Sequence, residues 1–195
     1  MKRIVFFGDS LTAGYGLSRP DGQSFPALIQ QELDAAGLDY LAANAGVSGD
    51  TSASGLSRLG YWLSQPTDVF VLELGANDML RGLAPAGTQR NLQAIIDQVK
   101  SRFPAVKLLL LGMQLPLWVP GQRAAEFRQL YQELANNNKI PLLPFLLDGV
   151  AGIKHLNMHD GVHPLAEGYQ IIAAKVWPVL RPLLLEITKI HDFGQ

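Results

Sequence analysis

Four short segments of this 195-residue chain carry the side chains that could do chemistry. They are Gly8-Asp9-Ser10-Leu11, Asn44-Ala45-Gly46, Gly75-Ala76-Asn77-Asp78 and Asp160-Gly161-Val162-His163-Pro164. Together they offer a hydroxyl nucleophile, an imidazole with a nearby carboxylate, and hydrogen-bond donors for a developing negative charge. These components favour an acyl-transferring hydrolase.

Ser10 is the candidate nucleophile. It follows the apolar run Ile4–Phe7, and Gly8 and Gly14 allow tight backbone around it. A serine hydroxyl is a poor nucleophile unless a base removes its proton. By itself the segment is equally typical of a helix cap or a phosphate-binding loop, so a catalytic role for Ser10 depends on a partner.

His163 is the candidate base, with Asp160 three residues before it. A carboxylate that accepts one imidazole N–H fixes the tautomer and leaves the other ring nitrogen free to face Ser10. The same residues could form a helix entry, with Asp160 as the cap and Pro164 in the first turn. Both interpretations can hold together.

The other histidines are expected to be exposed and inert, although His159 is the nearest alternative to His163. A metal site could be imagined from His155, His159, Asp160 and His163. Nothing in their spacing brings them to one face of a helix, so we expect no metal.

Gly46 and Asn77 are the candidate donors of an oxyanion hole. A backbone N–H and an amide NH2 can both point at the negative oxygen of a tetrahedral intermediate. Each residue could instead be an ordinary turn residue.

Two further features could be mistaken for catalytic elements, and of these Glu73 is interpreted as structural. Gly46-Val47-Ser48-Gly49 resembles part of a nucleophile elbow, but the G-x-S-x-G spacing fails there and also at Ser10, which disfavours the α/β-hydrolase fold. Glu73 lies inside an apolar run and needs a partner if it is buried.

Short apolar runs, nearly continuous rather than alternating, are typical of parallel strands covered on both faces. The predicted strands are Ile4–Phe7, Tyr40–Ala43, Val69–Leu74, Leu108–Leu111 and Leu142–Phe145.

Helical periodicity separates these runs, with Ser24 and Thr88 as possible caps and a bend or break expected at Pro178 or Pro182. The predicted helices are Ser24–Ala36, Thr51–Leu63, Thr88–Phe103, Ala124–Asn136 and Leu165–Leu184.

Strands that alternate with helices predict an α/β sandwich with right-handed crossovers, formed as a single domain over residues 1–195. Ligands of such sheets bind outside the carboxyl ends of the strands. Three of the four chemical segments begin within a few residues of such an end, which supports the site independently of any motif.

Composition restricts the partners. A net charge of −1 gives no reason to expect nucleic acid or an anionic membrane, and the absence of cysteine excludes disulfides and thiolate chemistry. No apolar stretch is long enough to span a bilayer. With no leader visible the chain is expected in the cytoplasm, or in the periplasm or outside the cell if a signal peptide was removed. The oligomeric state stays open.

The chain resembles the GDSL esterases of the SGNH hydrolase superfamily. The four residues that give the superfamily its name are matched in order by Ser10, Gly46, Asn77 and His163, with Asp160 at the place of the triad aspartate. Longer phrases such as Glu73-Leu74-Gly75-Ala76-Asn77-Asp78 are similar to the bacterial arylesterase branch, which includes multifunctional thioesterases and lysophospholipases.

The resemblance implies a flavodoxin-like three-layer α/β/α sandwich with five parallel strands, no cofactor, and hydrolysis of esters or thioesters through an acyl-serine. It implies that the Ser10 N–H joins Gly46 and Asn77 in the oxyanion hole. It also implies an acyl pocket bordered by Met79 and Leu80 and faced by Leu117 and Trp118.

Departures from the family pattern bear on the substrate. Met79 stands where a smaller residue is usual, which suggests a narrower pocket, and the segment from Leu115 to Pro120 is unusually apolar and rich in proline. We therefore expect short-acyl or aryl carboxylic esters. The alternatives are a deacetylase of acylated carbohydrates using the same site and a non-catalytic flavodoxin-like binding module.

Overall fold

The computed structural model describes residues 1–114 and 121–192, with side chains as far as Ile187. Five strands form one parallel sheet in the order β2-β1-β3-β4-β5, which is the order of flavodoxin-like folds and confirms the predicted fold class. The strands are β1 (Lys2–Gly8), β2 (Tyr40–Gly46), β3 (Val69–Glu73), β4 (Lys107–Leu111) and β5 (Leu142–Leu143).

Helices cover both faces of the sheet. They are α1 (Ser10–Ala13), α2 (Pro20–Gln23), α3 (Phe25–Ala35), α4 (Ser52–Leu63), α5 (Ala76–Leu80), α6 (Pro85–Arg102), α7 (Gln122–Asn138) and α8 (Ala166–Asp192), with a 3-10 turn at Lys154–Leu156. Helix α3 packs against α8, whereas α6 packs against both α4 and α7. These two groups form the outer layers of the sandwich.

The core lies on both sides of the central strands. Residues Ile4–Phe7 of β1 are fully buried, and β3 is buried throughout. Successive side chains of a strand point to opposite faces. Phe6 accordingly contacts Phe25 of α3 edge-on, while its neighbour Phe7 contacts Phe70. Burial on both faces explains why the strands are continuous apolar runs in the sequence.

Helix α6 begins three residues before the predicted cap. Pro85 occupies its first turn, where a missing N–H is tolerated, and Ala84 is the N-cap. Thr88 lies inside the helix, buried, and its hydroxyl donates to Asp78 Oδ1 at 3.0 Å. The prediction that Thr88 caps this helix is therefore wrong. Ser24 does occupy the N-cap of α3, but its side chain makes no capping hydrogen bond.

Helix α8 continues through both of its prolines, so the expected break does not occur. A proline inside a helix loses one backbone hydrogen bond and crowds the preceding turn. Val176, Leu180 and Leu184, which flank the prolines at helical spacing, are all fully buried. We attribute the continuity of the helix to this apolar face, which holds it against the rest of the domain.

All five strands differ in length from their predictions, and two of the differences have a clear cause or consequence. Strand β5 ends at Leu143 because Pro144 has no N–H to continue the ladder. Strand β2 is longer than expected and ends at Gly46, which pairs in register with Gly8. Within the described residues, no helix is both long and apolar enough to cross a membrane.

Candidate active site

The site lies where strand order reverses, between the carboxyl ends of β1 and β3. These adjacent parallel strands end together, because Gly8 is in register with Glu73. Ser10 begins α1 just beyond β1, and Asn77 lies in the first turn of α5 just beyond β3. This reversal point is where open α/β sheets form a crevice for ligands.

Asp9 shapes the backbone around Ser10. Its Oδ1 accepts the N–H of Leu11 at 2.9 Å and so caps α1. The N–H of Ser10 has no acceptor in the described part of the chain, which leaves it available to a substrate oxygen. Ser10 is 8% exposed as a residue, so little of it is open to solvent.

His163 connects Ser10 to Asp160. Its Nε2 lies 2.9 Å from Ser10 Oγ, and its Nδ1 lies 2.7 Å from Asp160 Oδ2. The other carboxylate oxygen of Asp160 accepts the backbone N–H groups of Val162 and His163. The hydrogen bond from the His163 ring, together with these backbone bonds, lowers the pKa of Asp160 to about 2. The carboxylate is therefore ionised and orients the imidazole.

The loop that carries His163 is fixed at both ends. Asn157 forms an antiparallel bridge with Pro164, and the N–H of Met158 donates to the carbonyl of His163. The ring of Tyr15, half-exposed, packs against the imidazole with centroids 4.7 Å apart. His159, the predicted alternative base, is exposed.

Asn77 faces two acceptors. Its Nδ2 donates to Asp9 Oδ2 at 3.1 Å and to the carbonyl oxygen of Asp50 at 3.0 Å. Both amide hydrogens are thus engaged in the free protein, and an oxyanion at this place would have to share one of them.

Gly46 is placed differently from the sequence prediction. Its N–H donates to Asn44 Oδ1 at 3.0 Å, so it is not free for an oxyanion. A Cβ at this position would lie 2.2 Å from the backbone nitrogen of Ala13, so glycine is needed for the close packing of β2 on α1. Gly46 lines a separate cavity with Arg58 and Trp62.

Gly49 has a backbone N–H near the site that is unengaged within the described structure, and it is not among the residues predicted from the sequence. Its N–H has no acceptor among the described residues, and its φ of +85° is a conformation that favours glycine. Its carbonyl accepts Arg81 Nη2 at 2.7 Å, and the next residue, Asp50, is hydrogen-bonded to Asn77. The available signal was the second glycine of Gly46-Val47-Ser48-Gly49, a segment interpreted only as an incomplete nucleophile elbow.

Asp9 and Glu73 form an acidic pair beneath the site. Glu73 is 1% exposed, and its Oε2 accepts the N–H of Asp9 at 3.2 Å and the hydroxyl of Thr12 at 2.8 Å. Burial raises the pKa of Glu73 well above its usual range, and the charge of Asp9 raises it further. Burial also raises the pKa of Asp9, to about 6, although hydrogen bonds from Leu11 and Asn77 oppose the rise.

A small apolar cavity of about 210 Å³ opens beside Ser10 and His163. Met79 and Leu80 line it, and Leu80 is 65% exposed. That this cavity takes the acyl group stays a prediction. Leu117 and Trp118 lie outside the described residues. The rest of the apolar lining comes from Leu11, Ala76, Met113, Phe145, Leu147, Ala151 and Val162.

A serine hydroxyl, an imidazole and a carboxylate linked in series, at the switch point of a parallel sheet, define a serine hydrolase. Ester hydrolysis is the chemistry of the group to which this chain is related. The chain belongs to the GDSL-like lipase/acylhydrolase family, which it matches over residues 6–171.

Individual relatives agree with this assignment. The chain is 41% identical to an esterase, TesA, of Pseudomonas aeruginosa, over 93% of this chain and 89% of the relative. It is 35% identical to thioesterase 1/protease 1/lysophospholipase L1 of Escherichia coli strain K12, over 93% and 84% of the two chains. A crystal structure of TesA superposes with a TM-score of 0.87 at 39% identity, covering 93% of this chain and 99% of that one.

Proposed function

We propose that this chain is a serine esterase that cleaves short-acyl or aryl carboxylic esters through an acyl-serine intermediate. One observation carries the proposal: His163 Nε2 lies 2.9 Å from Ser10 Oγ while Asp160 holds the other ring nitrogen. This arrangement lets a neutral imidazole accept the hydroxyl proton as the oxygen attacks.

In the first half-reaction, His163 takes the proton of Ser10, and Ser10 Oγ attacks the carbonyl carbon of the ester. The carbonyl oxygen becomes negative and is met by N–H donors. We assign these donors to the Ser10 N–H, the Gly49 N–H and the amide of Asn77.

Gly49 replaces Gly46 because its N–H has no acceptor among the described residues, whereas that of Gly46 donates to Asn44. The residue after Gly49, Asp50, accepts a hydrogen bond from Asn77. The two backbone N–H groups are fixed before the reaction and stabilise the oxyanion without reorganisation, whereas Asn77 shares with it a hydrogen that Asp9 or Asp50 accepts in the free protein.

The protonated His163 then gives its proton to the leaving alcohol, and the C–O bond of the ester breaks. A water molecule occupies the place of the alcohol, and His163 removes one of its protons as the oxygen attacks the acyl-serine. Collapse of the second tetrahedral intermediate returns the proton to Ser10 Oγ and releases the carboxylic acid.

The size of the cavity supports a small acyl group. At about 210 Å³ it is smaller than the roughly 300–1,000 Å³ of pockets that take drug-sized ligands. Most of the described residues that line it are apolar, and the polar or ionisable ones are Asp9, Ser10, Asn77, Gln114 and His163. Thioesters and lysophospholipids are further candidate substrates, because the Escherichia coli relative is named for both activities.

Neither alternative function is favoured. A non-catalytic binding module does not account for the contact of His163 with Ser10 or for the carboxylate on the opposite ring nitrogen. A carbohydrate deacetylase would use the same catalytic groups, but no contact in the described residues favours a sugar over another alcohol.

A fluorophosphonate probe with p-nitrophenyl acetate tests the proposal. The wild-type protein is expected to be labelled at one serine and to hydrolyse the ester, and Ser10→Ala is expected to lose both properties. Ser48→Ala is the matched control, since Ser48 is an exposed serine of the loop that follows β2. A wild-type protein that is neither labelled nor active would refute the esterase proposal, and labelling that survives Ser10→Ala would refute the assignment of the nucleophile.

A further inference from the structure

Two carboxyl side chains that take no direct part in the proposed reaction lie beneath its oxyanion hole. Asp9 is fully buried and Glu73 is 1% exposed. Gly8, the last residue of β1, pairs in register with Glu73, the last residue of β3. Asp9 follows Gly8 directly and therefore lies beside Glu73. Two buried acids side by side need an explanation, since like charges in a low-dielectric environment repel strongly.

The contacts of Glu73 join it to both strand ends. Oε2 accepts the backbone N–H of Asp9 and the hydroxyl of Thr12, while Oε1 has no partner by hydrogen-bond geometry within the described residues. A buried carboxylate with one bare oxygen would be costly. A protonated carboxyl group removes the charge from that oxygen.

The contacts of Asp9 lead directly to the oxyanion hole. Oδ1 caps α1 at Leu11, and Oδ2 accepts one amide hydrogen of Asn77 at 3.1 Å. An ionised carboxylate is the stronger acceptor for both donors. Asp9 therefore suits the charged member of the pair, and Glu73 the neutral one.

We propose that Asp9 and Glu73 share a single negative charge, with Glu73 protonated, and that the Asp9 carboxylate positions the Asn77 amide toward the oxyanion. The proposal rests on the proposed esterase function. It makes Asp9 a positioning residue, which acts through Asn77, and gives Glu73 the role of keeping a second negative charge away from the forming oxyanion.

The surroundings of the pair agree with a single charge. The ionisable groups that face it are Tyr131 of α7, Tyr169 of α8 and His163, with Asp78 near Tyr131. Burial is the largest cause that raises the pKa of both tyrosines, so they stay neutral. Arg58 of α4 contacts the carbonyl of Gly8 and pairs with Asp50 instead. His163 is thus the only group facing the pair, in the described residues, that can become positive during turnover.

A double-mutant cycle tests whether Asp9 acts through Asn77. Asn77→Ala is expected to lower kcat by about 10²–10³-fold, as for other oxyanion donors, and Asp9→Asn by about 10²-fold with little change in KM. The amide oxygen that Asp9→Asn introduces can still cap α1. The double variant is expected to fall within about twofold of Asn77→Ala alone, because the two residues act as one unit.

Asp68→Asn is the matched control. Asp68 is a partly buried carboxylate that accepts the backbone N–H of Arg3 far from the site, so its loss is expected to lower stability and leave kcat unchanged. If Asp9→Asn keeps the wild-type kcat, or if the two losses multiply in the double variant, the positioning role is overturned. Both of these outcomes require that the wild-type protein hydrolyses the ester. Failure of the esterase proposal would instead appear as an inactive wild-type protein.

Glu73→Gln tests the protonation state. Glutamine copies a neutral carboxyl group in shape and can keep both contacts of Oε2. We expect kcat close to that of the wild-type protein and the loss of one protonated-carboxyl stretch from the infrared spectrum at neutral pH. A loss of kcat as large as that of Asp9→Asn, or a spectrum unchanged by the substitution, would overturn the assignment of the proton to Glu73.

Discussion

The Nε2 atom of His163 lies 2.9 Å from the Oγ of Ser10, although 153 positions separate the two residues. Ser10 leaves the first strand of the sheet, and His163 lies on the loop that enters the last helix. The two come together because β1 is a central strand of the sheet and α8 returns to pack beside α3. The candidate nucleophile and base are thus held by opposite ends of the chain.

Removal of either partner of this contact is expected to abolish most of the activity. Ser10→Ala and His163→Ala should each lower kcat for p-nitrophenyl acetate by at least about 10³-fold, leaving only what the oxyanion donors and binding provide. His159→Ala is the control, because this exposed histidine lies on the same loop. If His159→Ala lowers kcat as much as His163→Ala does, the assignment of His163 as the base is wrong.

Asp160→Asn is expected to lower kcat by about 10²–10⁴-fold, because an amide can stabilise the wrong imidazole tautomer and cannot balance the imidazolium charge. The pKa of Asp160 is lowered to about 2, so this carboxylate does not titrate between pH 5 and 9. A pH–rate profile of the wild-type protein should therefore show no inflection from Asp160 in that range.

The same shift predicts how stability depends on pH. A carboxyl group with a lowered pKa in the folded state stabilises the fold above its unfolded value of about 3.9 and loses that effect as the pH falls toward 2. Urea unfolding at pH 5 and pH 2.5 should show a larger acid-induced loss for the wild-type protein than for Asp160→Asn. Equal losses would show that the carboxylate contributes nothing to folding.

Glu73 is expected to make the fold less stable as the pH rises, whereas Asp160 makes it less stable as the pH falls. The raised pKa of Glu73 means that the folded chain keeps a proton that the unfolded chain releases above about pH 4.3. The free energy of unfolding should therefore decrease with rising pH above that value, with a contribution of at most about 1.4 kcal/mol per pH unit from this group. Glu73→Gln has no such proton, and its urea midpoint should vary less between pH 5 and 8. An identical pH dependence for the two proteins would contradict a protonated Glu73.

The assignment of Gly49 can be tested by replacing single backbone N–H groups with ester oxygens through semisynthesis. Removal of the Gly49 N–H is expected to lower kcat by about 10²–10³-fold, as for other oxyanion donors. The same change at Gly46 is the matched control, because that N–H serves Asn44 and should affect stability more than turnover. If the change at Gly46 lowers kcat and the change at Gly49 does not, Gly46 is the oxyanion donor and the assignment of Gly49 is wrong.

Substrate length is expected to depend on Met79. The wild-type protein should prefer acetyl and butyryl over octanoyl and decanoyl esters of p-nitrophenol, measured as kcat/KM. Met79→Ala should shift this preference toward longer chains, because it enlarges a cavity that Met79 lines. Leu83→Ala, at an exposed position outside the cavity lining, serves as the control. A preference of the wild-type protein for long chains would refute the short-acyl expectation.

Much of the architecture follows from local sequence patterns. Strands buried on both faces must be apolar throughout, so Ile4–Phe7 and Val69–Leu74 were recognisable without any structure. Ser10 and Asn77 could be placed at one edge of the sheet, because parallel strands end at the same side. The pairing of His163 with Asp160 could also be predicted, since three residues of one loop separate them.

Other features required contacts between distant residues. Gly46 and Gly49 follow the same strand, and only the packing of α1 against Gly46 and the bond from Asn44 distinguish a structural glycine from an available donor. The continuity of α8 through Pro178 and Pro182 likewise depends on burial that no local pattern reports.

The fold class and the kinds of groups in the site can be predicted from the chain alone, because periodicity and residue type are properties of short segments. Which groups touch depends on how distant segments pack. The register of β1 against β3 brings Asp9 beside Glu73, and a shift of one residue would separate them. Charge and proton position in that pair depend on burial and on neighbours from distant parts of the chain, which exist only in the folded protein.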